Sequence, residues 1–179
     1  MTRRVNVLGV GMVKFQKPGA SDDYNVMAAG AIRSALKDAQ VEFSAIEQAY
    51  AGYVFGDSTC GQRAVYEVGE TGIPVFNVNN NCSTGSSALM LAQQAIAGGL
   101  AECVLAVGFE QMEKGALVAK WNDRTNPLDR HANVMNEVQG VNAAPGAAQM
   151  FGGAGREYRW KHGTRRETFA KISEKARKH

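Results

Sequence analysis

One cysteine stands where a sequence could do nucleophilic chemistry. Residues 75–99 read VFNVNNNCSTGSSALMLAQQAIAGG. The run from Pro74 to Asn79 is apolar and β-branched and predicts a strand. A helix is expected from Cys82 to about Ala97, ended by Gly98-Gly99. Ser83, Thr84, Ser86 and Ser87 fall in its first turns, where hydroxyls can bond amides left without helical partners. From Ala88 to Ala97 only Gln93 and Gln94 interrupt the apolar residues, which predicts a buried helix. A thiol at that joint meets unpaired amides and the positive end of the helix dipole, both of which favour the attacking thiolate. The same position also suits a small buried cysteine packing as a hydrophobe. Residue chemistry alone leaves both readings open.

The other two cysteines, Cys60 and Cys103, form no CxxC pair and have no neighbouring histidine pair. Three cysteines so spaced argue against a disulfide framework and against a zinc site, and fit a reducing compartment. No metal ligand set is expected. The N-terminus, MTRRVNVLGVGM, lacks the apolar core of a secretory signal, and no run approaches the roughly 18 apolar residues of a membrane span. Net charge is +3, and much of the excess lies between Arg156 and His179. The body is close to neutral, so neither nucleic acid nor a membrane surface is indicated as a partner.

The elements that must position Cys82 follow from periodicity. Residues 5–10 read as a first strand buried on both faces. Gly9 and Gly11 follow it, but position 14 is Lys14, so the dinucleotide-binding pattern is incomplete and turn chemistry is the simpler reading. Asp22 or Asp23 can cap a helix from Tyr24 to Gln40 whose apolar face holds Val26, Met27, Ala29, Ala31, Ile32, Ala35, Leu36 and Ala39. Gln48 to Phe55 is a second strand, GDSTCG a polar loop, and Gln62 to about Gly69 a short helix. Glu102 to Phe109 is a fourth strand, its continuous apolar run indicating cover on both faces. Strands alternating with helices predict an α/β fold with a mostly parallel sheet, right-handed crossovers and functional loops at the carboxyl ends of the strands. Asn79 to Cys82 sits at such an end. From Lys114 to Met150 the chain is rich in Asn, Gly, Ala and Pro and weakly periodic, a long irregular stretch. Helical periodicity returns at Gln149 to Lys161 and Arg165 to Lys178, where Trp160, Phe169 and Ile172 could pack and KISEKARKH is a solvated face.

NNNCSTGSSAL, with YVFGDSTCGQRAVYE before it and AECVLAVGFEQMEKG after it, resembles the N-terminal half of a thiolase. The resemblance is nearest to the thiolase domain of sterol carrier protein X and its bacterial relatives, and extends through QMFGGAGREY and HGTRRETFAKI. It implies a thiolase-like core over residues 1–111 and a partial loop domain over residues 112–179. It implies an acyl-CoA C-acyltransferase that cleaves 3-oxoacyl-CoA with coenzyme A, in fatty-acid or sterol side-chain degradation. Cys82 falls on the acylated cysteine, its backbone N–H contributes to an oxyanion hole, and Met150 falls beside the acyl-pantetheine end. An ordinary core methionine is the competing reading for Met150. His131, His162 and His179 match no catalytic histidine of the family. Coenzyme A enters as co-substrate, with no resident cofactor. A homodimer through the Pro74–Asn79 strand is implied, and an apolar edge strand needs covering.

The family's second half, which supplies an activating histidine and an acid/base cysteine, has no counterpart in these motifs. The expectation is a fragment inactive by itself, completed if a separate chain supplies that half. Two other functions stay open: a thiolase-like retro-aldolase subunit, and a non-catalytic lipid or acyl-CoA binding fragment. β-Ketoacyl synthases share the fold and the cysteine position, but the surrounding blocks match them less well. The chain ends ARKH rather than SKL, so cytoplasm is the default location, or the peroxisome for an animal fusion protein.

Overall fold

The computed structural model describes residues 3–115 and 118–178. The chain divides into two compact units, residues 1–117 and 118–179.

The first unit is built on a three-stranded parallel sheet. β1 (Gln48–Gly52) lies at the centre, between β2 (Val75–Val78) and β3 (Val104–Gly108). α1 (Tyr24–Ala39) precedes β1, α2 (Cys60–Tyr66) joins β1 to β2, and α3 (Thr84–Ala97) joins β2 to β3. The α/β parallel-sheet expectation therefore holds. The chain steps from β1 to one neighbour and then back across β1 to the other. Right-handed crossovers in opposite directions put their helices on opposite faces of the sheet. Alternation along the strands agrees with this. Ala49, Ala51, Leu105 and Val107 share one face and form the core with Ala28 and Ile32 of α1 and Ala64 and Val65 of α2. Gly52 points the other way: a Cβ there would lie 2.9 Å from Thr84 Cγ2, at the start of α3. Asn25 donates to Glu67 over 2.7 Å, tying α1 to the end of α2. That bond and the neighbouring Arg63 hold the Glu67 carboxyl below the usual carboxylate range.

Several sequence expectations need correction. Residues 5–10 form no strand: no described strand pairs with them, and Val7, Leu8 and Val10 are exposed. Apolar, β-branched content marks a segment that could join a sheet, but a strand also needs a ladder neighbour. The segment instead lies against α1. Val10 N–H donates to Asp38 Oδ2 at 2.9 Å, and a Cβ at Gly9 would come within 2.5 Å of the Ala35 carbonyl oxygen. The two glycines thus serve close backbone approach.

α3 is not buried all round. It meets the sheet through Thr84, Ala88, Ala92 and Ala95, a stripe of small side chains, while Leu89 (57% exposed) and Met90 (51%) face away. It also begins two residues later than expected, at Thr84, which leaves Cys82 in the preceding turn. β3 is covered fully on one face only: Leu105 and Val107 are buried, Val104 and Ala106 half-buried.

The second unit consists of α4 (Asp129–Gln139), α5 (Gly146–His162) and α6 (Arg166–Lys178). α4 lies inside the stretch expected to be irregular. Its inner stripe is thin, with only Ala132 and Met135 half-buried, so its helical period is faint. Asp129 in its first turn complements the helix dipole. α5 packs on α4 at Gly153, where the Gln139 side chain crosses, and Arg156 donates to Gln139 Oε1 at 2.9 Å. Trp160 (87% exposed), Phe169 and Ile172 do not pack into a core. The Phe169 ring lies beside Gly155 of α5 but stays 41% exposed, and most residues of α5 and α6 are themselves exposed, so they offer little cover to Trp160 and Ile172.

Gly11 offers a test of the segment on α1. A methyl group there would collide with the Ala31 carbonyl oxygen, which is backbone and cannot rotate away. Gly11→Ala is expected to lower unfolding stability by about 1–3 kcal/mol in urea denaturation, the range for overpacking a close contact. No change would mean that the segment does not dock on α1.

Candidate active site

The turn from Asn79 to Ser83 leaves the carboxyl end of β2 and enters α3. It is held by its own side chains. Asn79 Oδ1 accepts the Asn81 N–H at 3.1 Å. Asn81 adopts φ +49°, a left-handed conformation that asparagine tolerates better than most residues. Ser83 Oγ donates to the Asn80 carbonyl at 2.9 Å, and Asn80 Nδ2 donates to Ser87 Oγ at 2.9 Å. Thr84 Oγ1 accepts the Asn80 N–H at 2.8 Å and donates to the Asn81 carbonyl at 2.6 Å. Thr84 is 5% exposed and its methyl packs at Gly52. The hydroxyls were expected to bond the first amides of the helix. Ser83 instead makes no side-chain cap bond, and Thr84 joins the two sides of the turn.

Cys82 is exposed at the tip of this turn, Cys60 is buried and Cys103 half-buried. Within this chain Cys82 is not packed as a buried hydrophobe. Cys103 sits close to Glu47, whose Oε1 accepts the Cys103 N–H at 3.3 Å. Burial, and then the Glu47 charge, push the Cys103 thiol above its ordinary range. The Cys60 thiol beside it, and then burial, push the Tyr24 phenol above its ordinary range. Tyr24, Phe55, Asp57, Cys60, Arg63 and Gln111 contribute to an open hollow of about 450 Å³ whose lining does not include Cys82.

At the reversal of strand order, where open α/β sheets usually hold ligands, the crevice is bridged from within. Glu110, just beyond β3, accepts the Val54 N–H at 3.0 Å and the Phe55 N–H at 2.8 Å, fixing the loop after β1. Gln111 accepts the Tyr24 N–H at 3.0 Å.

Met150, the other site residue indicated by the sequence, is half-buried in α5 of the second unit. His131 is exposed on α4, and His162 on α5 contacts the Tyr158 ring, with centroids 4.5 Å apart. His179 lies outside the described residues. The first unit contains no histidine in its sequence. Among the described residues no group of His, Cys, Asp and Glu could hold a metal ion, and no helix is long and apolar enough to cross a membrane. Sequence reasoning named Thr84 only as one of four hydroxyls at the helix start and gave Glu110 no role. A β-branched hydroxyl among small residues, and a lone acid closing an apolar strand, were the available signals.

Comparisons with known proteins give the family. The family model for the thiolase N-terminal domain matches residues 5–178, and the chain belongs to that family. It is 60% identical over 179 residues to sterol carrier protein 2 of Oryctolagus cuniculus, covering 98% of this chain and 33% of that protein. Benzoylsuccinyl-CoA thiolase subunit BbsB of Thauera aromatica is 28% identical, covering 100% of this chain and 44% of the subunit. The chain thus spans a third of the length of its sterol carrier protein 2 relative. The solved structure of the Ltp2-ChsH2(DUF35) aldolase aligns with 88% of the chain at a TM-score of 0.60 and 18% identity, a likeness of fold.

Exposure and ionisation rank the three thiols. With iodoacetamide near neutral pH, Cys82 is expected to react first, Cys103 more slowly because its thiolate is disfavoured, and Cys60 last because it is buried. Peptide mapping of the labelled chain reads the order. A Cys60 that matches Cys82 would contradict the geometry.

Proposed function

We propose that the chain carries the acyl-accepting half of a thiolase, an acyl-CoA C-acyltransferase that cleaves 3-oxoacyl-CoA with coenzyme A through an acyl-enzyme on Cys82. One observation carries the reading: in a chain of the thiolase N-terminal family, Cys82 is the exposed thiol at the carboxyl end of a parallel strand. The relative from Thauera aromatica, named as a thiolase subunit, supports the same chemistry.

In the proposed reaction the Cys82 thiolate adds to the keto carbon at C3. The carbonyl electron pair moves to oxygen, where the Cys82 backbone N–H contributes stabilisation. As the carbonyl re-forms, the bond between C2 and C3 breaks. The two-carbon side leaves as the enolate of acetyl-CoA, which takes up a proton, and the remaining acyl group stays on sulfur as a thioester. The thiolate of free coenzyme A then attacks the thioester and releases the shortened acyl-CoA, regenerating the Cys82 thiolate. Two protons must be handled, one from the incoming thiol and one to the enolate. With no histidine in the first unit, we assign that work to groups outside it. Met150 is proposed to line the acyl-pantetheine path. The proposal extends to assembly. β2 is an edge of the sheet and its Phe76 is 47% exposed, which suits pairing with a second copy.

A second reading, lipid or acyl-CoA binding without chemistry, draws on the carrier name of the relative from Oryctolagus cuniculus. The role of Cys82 separates the two.

A thiolysis assay with acetoacetyl-CoA and a longer 3-oxoacyl-CoA tests the proposal. The chain by itself is expected to turn over at most slowly, and Cys82→Ala is expected to remove whatever turnover there is. Turnover that persists in Cys82→Ala would remove Cys82 from the chemistry. Acyl-CoA binding with no cysteine-dependent acyl transfer would favour the carrier reading.

A further inference from the structure

We infer that Thr84 is the positioning residue for Cys82, through a hydroxyl that clamps the Cys82 turn against the sheet. The inference rests on the proposed role of Cys82 and says how its thiol is kept in place. Thr84 is the one buried polar residue among the described residues (5% exposed), whereas Asn80, Asn81, Cys82 and Ser83 are all exposed. An exposed turn of four residues with one in the left-handed region needs an anchor if it is to hold one shape. Thr84 supplies it in both hydrogen-bonding roles. Its oxygen accepts the Asn80 N–H on the strand side of the turn, at 2.8 Å. Its proton goes to the Asn81 carbonyl, at 2.6 Å, one residue before the thiol. Both bonded groups are backbone, so they fix the path of the chain into Cys82.

The rest of the side chain fixes the hydroxyl. Thr84 is the first residue of α3, and its Cγ2 lies where a Cβ on Gly52 would stand only 2.9 Å away. Glycine at the end of β1 therefore makes the seat for the methyl. β-branching leaves few rotamers at χ1, so seating the methyl aims the hydroxyl at the turn. Serine would keep the hydroxyl with less restraint. Valine would keep the shape and leave the Asn80 N–H and the Asn81 carbonyl without this partner.

The other hydroxyls do not do this. Ser83 Oγ bonds the Asn80 carbonyl within the exposed turn, and Ser87 Oγ bonds a side chain and its own helix. Thr84 alone among them reaches from the turn to β1.

The test uses Thr84→Val and Thr84→Ser in the chain as it stands, with iodoacetamide as the probe and Cys60 as internal control. Thr84→Val is expected to slow Cys82 alkylation about fivefold, as the thiol no longer holds the one exposed position that the clamped turn gives it. Thr84→Ser is expected to restore most of the rate. Cys60 is expected to stay slow in both variants, which separates loss of position from loss of fold. Wild-type alkylation of Cys82 in Thr84→Val overturns the inference. So does a Thr84→Ser variant as slow as Thr84→Val, since the methyl and not the hydroxyl would then matter.

Should Thr84→Val expose Cys60, amide hydrogen exchange in the unaltered chain decides. The Asn80 N–H, on an exposed residue, is expected to be protected, and exchange at the rate of a free amide overturns the inference. Failure of the underlying reading looks different: Cys82 then carries no acyl group after incubation with acetoacetyl-CoA, whatever stands at position 84.

Discussion

The Thr84 hydroxyl meets both sides of the turn that presents Cys82. It accepts a hydrogen bond from the Asn80 N–H and donates one to the Asn81 carbonyl, from a side chain buried beside Gly52. The Asn81 carbonyl also accepts the Thr84 N–H, at 3.1 Å, so Thr84 holds it through backbone and side chain together. The exposed thiol therefore depends on a buried hydroxyl two residues away.

Small residues let the layers come together. β1 carries Ala49 and Ala51 toward α1 and α2, and Gly52 toward α3. α3 answers with Thr84, Ala88, Ala92 and Ala95. The reversal of strand order around β1 puts the β2–α3 turn and the loops after β1 and β3 at the same end of the sheet, since all three strands run parallel. Glu110 then ties the loop after β1 to the end of β3 by two hydrogen bonds. The carboxyl end of the sheet is fixed by side chains bonding to backbone, which leaves Cys82 as the exposed thiol there.

Much of this was legible in the residues. The parallel α/β sheet followed from alternating strands and helices, and the blocks around NNNCSTG pointed to the family that the comparisons bear out. Two of the failures share one cause. Residues 5–10 and the outer face of α3 carry apolar side chains, and the sequence reports that such residues want cover without saying whether this chain supplies it. α4 failed the other way: a helix with a thin inner stripe barely differs from a loop in its pattern. The start of α3 was displaced because serine and threonine suit both a helix's first turn and the turn before it. Only the geometry of the Thr84 bonds tells these apart.

The account stands most directly on the fate of an acyl group. Incubation with acetoacetyl-CoA, followed by proteolysis and mass spectrometry of the three cysteine peptides, locates it. The account predicts an acetyl thioester on the peptide containing Cys82, discharged by added coenzyme A and absent from Cys82→Ala. An acyl group on Cys60 or Cys103 with Cys82 unmodified would contradict it.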